Sequence, residues 1–308
     1  MHLIKRKSDK KTLTLKIRGG LGNQLFQWYA LKELGVHSKR VPVVDIGWYI
    51  QKANTNSDLS PRRFELSHFS EEVQILETSA KKLYFYNWIE RVTLRAPLIG
   101  RLLFGYFYEP RDTSKIERSR RRNINIFGYW ICGLNFPAAT SEIRYQVTSF
   151  LQKKCNLDIE NPIVKLISRE DVAVIHVRGS DYLKLQETFI NLSATYYLRA
   201  INRIEKIRGI AFTEILVFTD DVIHAKEILA NIPRTTRNIN EILDTDHFSE
   251  LLLMSQTKNL ICSNSTFSWW GAFLNSVEES KIIFPRSYML NDNSEGMFSK
   301  IENFEFLD

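Results

Sequence analysis

VAVIHVRGSDY, Val172 to Tyr182, is the stretch that decides the fold. Its first six residues are β-branched or apolar apart from His176, and Asp171 and Gly179 bound them. A run that short, with no polar alternation, reads as a strand buried on both faces, as in a parallel sheet. Similar runs occur on either side of it. Leu13 to Ile17 (LTLKI) leads into Gly19-Gly20, and Val41 to Ile46 (VPVVDI) follows. Ile215 to Thr219 (ILVFT) runs into Asp220-Asp221, and then come Leu260 to Cys262 (LIC) and Ile282 to Phe284 (IIF). Between them, apolar residues recur at helical spacing over Asn23 to Leu34, Ala194 to Ile207 behind a Ser193 cap, Ile223 to Leu229, and Glu250 to Met254. Strands alternating with helices predict an α/β architecture with parallel sheets.

A chain of 308 residues exceeds what one ordinary core serves. The polar stretch Lys153 to Pro162 divides it into an expected N-terminal α/β domain, 1–160, and a C-terminal domain, 161–308. With 44% hydrophobic and 25% charged residues, disorder is excluded as the dominant state. A net charge of +7 suits nucleic acid, an anionic membrane face or a phosphorylated substrate, and does not choose among them. The basic run Arg118 to Arg122 has neither interleaved aromatics nor a recognisable nucleic-acid module, so no nucleic-acid partner is expected. It reads as a solvated face, with contact to anionic lipid head groups left open. Ala96 to Tyr108 (APLIGRLLFGYFY) is too short to span a bilayer. Two readings stay open for it, a segment dipping into a membrane surface and the favoured one, a buried helix. Cys132, Cys155 and Cys262 are scattered and odd in number, a poor disulfide framework without zinc-ligand spacing. A reducing compartment is therefore expected, and with no apolar leader the expected location is cytoplasmic, with peripheral contact on the inner membrane face left open.

Four constellations could carry chemistry. In Gly19-Gly20-Leu21-Gly22-Asn23-Gln24 a strand ends, glycines turn the backbone, and a helix begins, which aims backbone N–H groups at whatever docks there. The spacing is neither the dinucleotide fingerprint nor a P-loop, and a plain β–α turn would look the same. At the exit of the Val172 strand stand His176, Arg178, Asp181 and Tyr182. Ligands in open α/β sheets bind at strand exits, and a guanidinium grips phosphate oxygens well. Asp181 could orient Arg178 or contact a sugar. Asp220 and Asp221 could hold Mg²⁺, accept hydrogen bonds from a base edge or a ribose, or cap the following helix. Last comes Cys262 to Gly271 (CSNSTFSWWG), in which Ser265 and Thr266 could cradle a diphosphate while at least one of Trp269 and Trp270 packs the core.

In order along the chain, these segments resemble the α-1,2-fucosyltransferases of glycosyltransferase family 11. The family's GGLGNQ-[ML]-FQ segment is matched by Gly19 to Gln27, its HxRRxDY by His176 to Tyr182, its acidic pair by Phe218 to Asp221 (FTDD), and its NSTFSWWGA by Asn264 to Ala272 without change. Weaker echoes are Gly128-Tyr129-Trp130, Leu192 to Tyr197 (LSATYY) and Lys281 to Pro285 (KIIFP).

The resemblance implies a GT-B-like pair of Rossmann-like domains, with GDP-fucose mainly on the C-terminal one and the acceptor facing the N-terminal one. It implies inverting transfer of L-fucose to a 2-hydroxyl, commonly of galactose in a glycan or surface polysaccharide, with no cofactor and no required metal. Arg178, His176 and Asp181 become the catalytic candidates, with Asp181 as a candidate base and a nearly dissociative route with a weak base equally open. The substrate-binding candidates are Gly20, Gly22, Asn23, Gln24, Tyr182, Asp220, Asp221, Asn264, Ser265, Thr266 and Phe267. One position departs from the family: Gly179 stands where a second arginine is usual. That leaves open another deoxysugar donor, or a relative that binds a nucleotide sugar without transferring it.

Overall fold

The computed structural model describes residues 10–50, 62–67, 74–78, 80–108, 113–131, 140–155, 161–179, 182–183, 187–239, 245–289, 292–293 and 304–308. Asp181 and Cys132 lie outside them. The chain divides into two compact units: Met1–Asn56 with Pro61–Ala139, and Ser57–Ser60 with Thr140–Asp308.

The first unit starts with β1 (Thr12–Lys16), whose Leu13 and Leu15 are fully buried. The Gly19-Gly20 turn leads into α1 (Leu21–Ser38), a helix with almost no exposed face. Strand β2 (Val41–Asp45) then pairs with β1. Next come β3 (Gln74–Leu76), α2 (Ala80–Arg95), β4 (Tyr106–Tyr108) and β5 (Asn123–Phe127). All pairings are parallel, in the order β3-β2-β1-β5-β4. Residues 97–104 are helical, as the sequence allowed, but the favoured burial is not observed: Leu98, Ile99, Leu102 and Leu103 are exposed. Of this stretch, Phe104 packs against the small core of Ile89, Tyr106 and Phe127, while the leucines and Ile99 face outward.

The second unit opens with α3 (Thr140–Lys154), so the division falls before the expected residue 160. In it follow β6 (Val172–Val177), α4 (Ala194–Arg208), β7 (Glu214–Thr219), α5 (Val222–Leu229), β8 (Thr235–Asn238), α6 (His247–Met254), β9 (Asn259–Ile261), α7 (Thr266–Leu274) and β10 (Lys281–Pro285). A small antiparallel hairpin, β11 (Ser287–Met289) and β12 (Asp292–Asn293), precedes the last strand, β13 (Phe304–Leu307). Helix α3 packs on α6 and α7, and Arg144 donates from Nε to the Phe273 carbonyl at 2.7 Å. The sheet is again wholly parallel, in the order β8-β7-β6-β9-β10-β13. The chain lays down β6, β7 and β8 in one direction, then returns to the far side of β6 with β9. That reversal is the Rossmann topology, and it opens a crevice beyond the carboxyl ends of β6 and β9, where helices leave toward opposite faces. Two parallel-sheet α/β units are thus present, as expected.

Candidate functional site

In the second unit, the crevice is built by short bonds between the two strands that flank the reversal. His176, the second-to-last residue of β6, is buried, and its Nδ1 lies 2.7 Å from Ser263 Oγ, just past β9. Two consecutive tyrosines of α4 brace the same ends from below. Tyr197 donates to the His176 carbonyl at 3.3 Å, and Tyr196 to the Cys262 carbonyl at 2.7 Å. Burial lowers the His176 pKa to about 4, with Arg178 adding to the shift and Asp220 opposing it, so the imidazole is neutral at physiological pH.

That shift predicts a pH dependence. The unfolded chain takes up a proton on His176 near pH 6.5, whereas the folded one resists until about pH 4. Stability is therefore whole above pH 6.5 and falls as pH drops through that window, by about 1.4 kcal/mol per pH unit. Denaturant titrations from pH 7 to pH 4 should show this slope, and His176→Asn should flatten it. An unchanged slope in that variant would reject the buried neutral imidazole as its source.

Arg178 leaves the sheet one residue after β6. Val177 pairs in register with Thr219, so the next residue on each strand, Arg178 and Asp220, come face to face. Arg178 Nη1 lies 2.8 Å from Asp220 Oδ2, with the two side chains 13% and 25% exposed. The other oxygen of Asp220 accepts the Gly179 N–H at 2.9 Å. Asp220 thus fixes both the guanidinium and the backbone behind it. Asp221 does something different: its Oδ1 accepts the His224 N–H at 3.0 Å and caps α5. The sequence offered Asp181 to orient Arg178 or to contact a sugar; Asp181 lies outside the described residues, and among those described Asp220 holds the guanidinium.

Tyr182 connects Arg178 to α7. The guanidinium carbon stands 5.4 Å from its ring centroid, and its hydroxyl donates to the Asn264 carbonyl at 3.0 Å. Phe189 stacks on the same ring, centroids 4.1 Å apart. Ser265 caps α7, its Oγ accepting the Phe267 N–H at 3.2 Å, and Thr266 begins the helix. Phe267 lies 5.9 Å from the His176 ring. The amide of Asn264 is committed to structure, donating to the carbonyls of Ile190 (2.8 Å) and Tyr288 (3.0 Å). Trp269 and Trp270 are both buried, edge to face.

The glycine turn belongs to the first unit and has its own construction. Gly19 sits at φ 87°, a conformation glycine adopts without strain, and a Cβ there would meet Asn23 Nδ2 at 2.7 Å. Gly20 is the N-cap of α1, and Gly22 is buried in its first turn. The sequence offered Gln24 as a ligand contact, but its amide is used internally. It donates to the carbonyls of Gly19 (3.0 Å) and Arg63 (2.8 Å) and accepts the Glu65 N–H at 2.9 Å. Gln27 likewise ties Arg18 in both directions, at 3.1 and 2.7 Å. The exit of β1 carries a buried charge cluster, in which Glu90 pairs with Lys16 at 3.1 Å and Arg18 at 3.0 Å. Burial lowers the Lys16 pKa and Glu90 opposes the shift.

Sequence reasoning missed Ser263, Tyr196 and Tyr197 as builders of the crevice, although LSATYY was visible as a segment. It missed Arg62, whose Nη1 would lie 3.5 Å from a Cβ at Gly20, because a lone arginine carries no motif. Among the described residues, no three His, Cys, Asp or Glu side chains gather into a metal-holding group. No helix of the described residues is long and apolar enough to cross a membrane.

Comparison with known proteins assigns the chain to a family. The WbnK O-antigen biosynthesis glycosyltransferase of Escherichia coli is 29% identical over 298 residues, covering 90% of this chain and 95% of WbnK. An alpha-1,2-colitosyltransferase of Escherichia coli is 25% identical over 274 residues, covering 88% of this chain and 90% of that enzyme. Among solved structures, an Arabidopsis thaliana FUT1 mutant in complex with GDP is 12% identical, covers 91% of this chain and 71% of its own, and gives a TM-score of 0.48. The fucosyltransferase NodZ from Bradyrhizobium is 14% identical, covers 86% and 92%, and gives 0.42. The family model described as Glycosyl transferase family 11 matches residues 112–301 of the 308, a span that contains every residue of the crevice, and the chain belongs to that family.

Proposed function

We propose that this glycosyltransferase moves L-fucose from GDP-fucose to the 2-hydroxyl of a galactosyl acceptor, with inversion, in the assembly of a surface polysaccharide on the cytoplasmic side. One observation carries this reading: a guanidinium, held by Asp220, stands at the topological reversal of a Rossmann sheet and is linked through Tyr182 to the start of α7. That is a place where a diphosphate docks on such a sheet.

In the transfer, the acceptor oxygen bonds to the anomeric carbon as the bond from that carbon to the β-phosphate oxygen breaks. Negative charge grows on the departing diphosphate. Arg178 opposes it, and the hydroxyls of Ser265 and Thr266 donate to it. The anomeric centre develops oxocarbenium character. The acceptor proton passes to a base, for which Asp181 remains the proposed group. Asp220 serves as the positioning residue for Arg178 rather than as a metal ligand, and the reaction is proposed to need no metal. His176, neutral and committed to Ser263, holds the crevice rather than carrying charge.

A second donor is favoured by a specific observation, the colitosyltransferase relative. Purified protein incubated with GDP-fucose or activated colitose, galactosyl acceptors and excess chelator, followed by linkage analysis, separates the readings. Acceptor-dependent release of GDP with a 1,2-linked fucosyl product is expected. Product from colitose alone moves the assignment to that donor, a strict Mg²⁺ demand rejects the metal-free route, and nucleotide binding without product rejects transfer.

A further inference from the structure

On the first unit, α2 and the helical residues after it form a hairpin with an apolar outer face. Gly100 permits the reversal: a Cβ there would lie 2.2 Å from Thr93 Oγ1, so residues 97–104 fold back on α2 at very close approach. Trp88 joins the two arms, its ring centroid 5.9 Å from that of Phe104 and 5.9 Å from that of Phe85. Tyr84, Phe85, Trp88, Leu98, Leu102 and Leu103 are all exposed, Tyr84 by 80% and Leu103 by 66%. Apolar side chains gathered in this way mark a contact surface rather than the scattered exposure that any protein shows.

The charges of the hairpin say what the surface contacts. Between residues 80 and 105 the sole acid is Glu90, and it is buried against Lys16 and Arg18. Lys82, Arg91 and Arg95 are exposed. The outer face therefore offers aliphatic and aromatic side chains with only positive charge among them. We propose that this hairpin is an interfacial anchor, which lies in the plane of an anionic phospholipid surface with its leucines and Phe85 below the head groups and its Trp, Tyr and basic side chains at their level.

Each component of the face fits that partner. Trp and Tyr favour the head-group level, and arginine and lysine extend their charges out of apolar surroundings toward it. No described helix can span a bilayer, so the segment lies along the surface. A sugar would use the aromatic rings but find no hydrogen bond on the leucines. A second copy would bring the same patch onto itself across a two-fold axis, setting like charges opposite one another. This proposal does not depend on the donor assigned above.

The test is co-sedimentation of the full chain with vesicles of pure phosphatidylcholine or of phosphatidylcholine with phosphatidylglycerol. Binding is expected to the anionic vesicles only. Each basic residue near such a surface contributes roughly fivefold, so Arg91→Gln with Arg95→Gln should weaken binding about 25-fold. Leu102→Asp with Leu103→Asp should weaken it at least tenfold. Both pairs should keep the wild-type circular dichroism spectrum and transfer to a soluble acceptor. Equal sedimentation with both vesicle types, or none with either, overturns the anchor. So does a dimer in light scattering that the leucine pair dissolves while vesicle binding is absent, which gives the face to a second copy.

Discussion

Arg178→Ala is expected to lower transfer by a hundredfold to a thousandfold, on the order of what removing a donor to a developing anion costs. Stability should change little. The ion pair with Asp220 is partly exposed, at 13% and 25%, and such pairs contribute about 1 kcal/mol or less. The contrast between a large kinetic loss and a small thermal shift is the signature of a residue that acts on the reaction. Arg178→Lys should recover little, because an ammonium cannot hold Asp220 and a diphosphate with one planar fork. Steady-state kinetics beside thermal unfolding checks this. Turnover within tenfold of the unaltered enzyme would move charge stabilisation to another residue.

The second large effect is expected at Gly179. A Cβ there would fall 2.6 Å from Asp221 Cβ and 3.1 Å from His224 Cδ2. Asp221 cannot yield freely, because its carboxylate caps α5. A side chain at 179 therefore combines overpacking, about 1–3 kcal/mol, with a disturbed cap, about 1 kcal/mol. Gly179→Ala should lower the melting temperature by several degrees. Gly179→Arg, which puts back the residue usual in the resembling enzymes, should lower both stability and kcat/KM. A gain in donor affinity in that variant would show that the α5 cap moves aside easily. The departure from the family's second arginine is thus matched by its surroundings here: Asp221 and His224 pack where a side chain would start.

The architecture was legible where strands are buried on both faces. VAVIHV and ILVFT announce themselves as short β-branched and apolar runs with few polar residues, LTLKI by its alternation ahead of the glycine turn, and the observed β6, β7 and β1 lie on those runs. Edge strands gave no such signal. Strand β8 reads TTRN and exposes its first three residues, and β3 is exposed along its length. Strand β5 alternates asparagine and isoleucine directly after the arginine run, and so short an alternation was not picked out. The candidate site was legible as a set of motifs but not as a set of partners. Arg178 meets Asp220 because of the register of β6 on β7, a choice among strand-exit partners that the motifs do not make. Sequence carries no register, so that choice was out of reach. Gln24 shows the opposite limit, since an amide in a glycine turn looks the same whether it faces a ligand or, as observed, staples the loop to Arg63 and Glu65.

The strand order of the first unit also governs how it can form on the ribosome. β5 is made last, yet it lies between β1 and β4. Until Asn123–Phe127 has emerged, β1 presents an open parallel edge and β4 has no neighbour. An open edge recruits other strands, and distant pairings form slowly. The nascent chain is therefore most vulnerable to mispairing while the residues between β2 and β5 are being synthesised, and completion of β5 closes both edges at once.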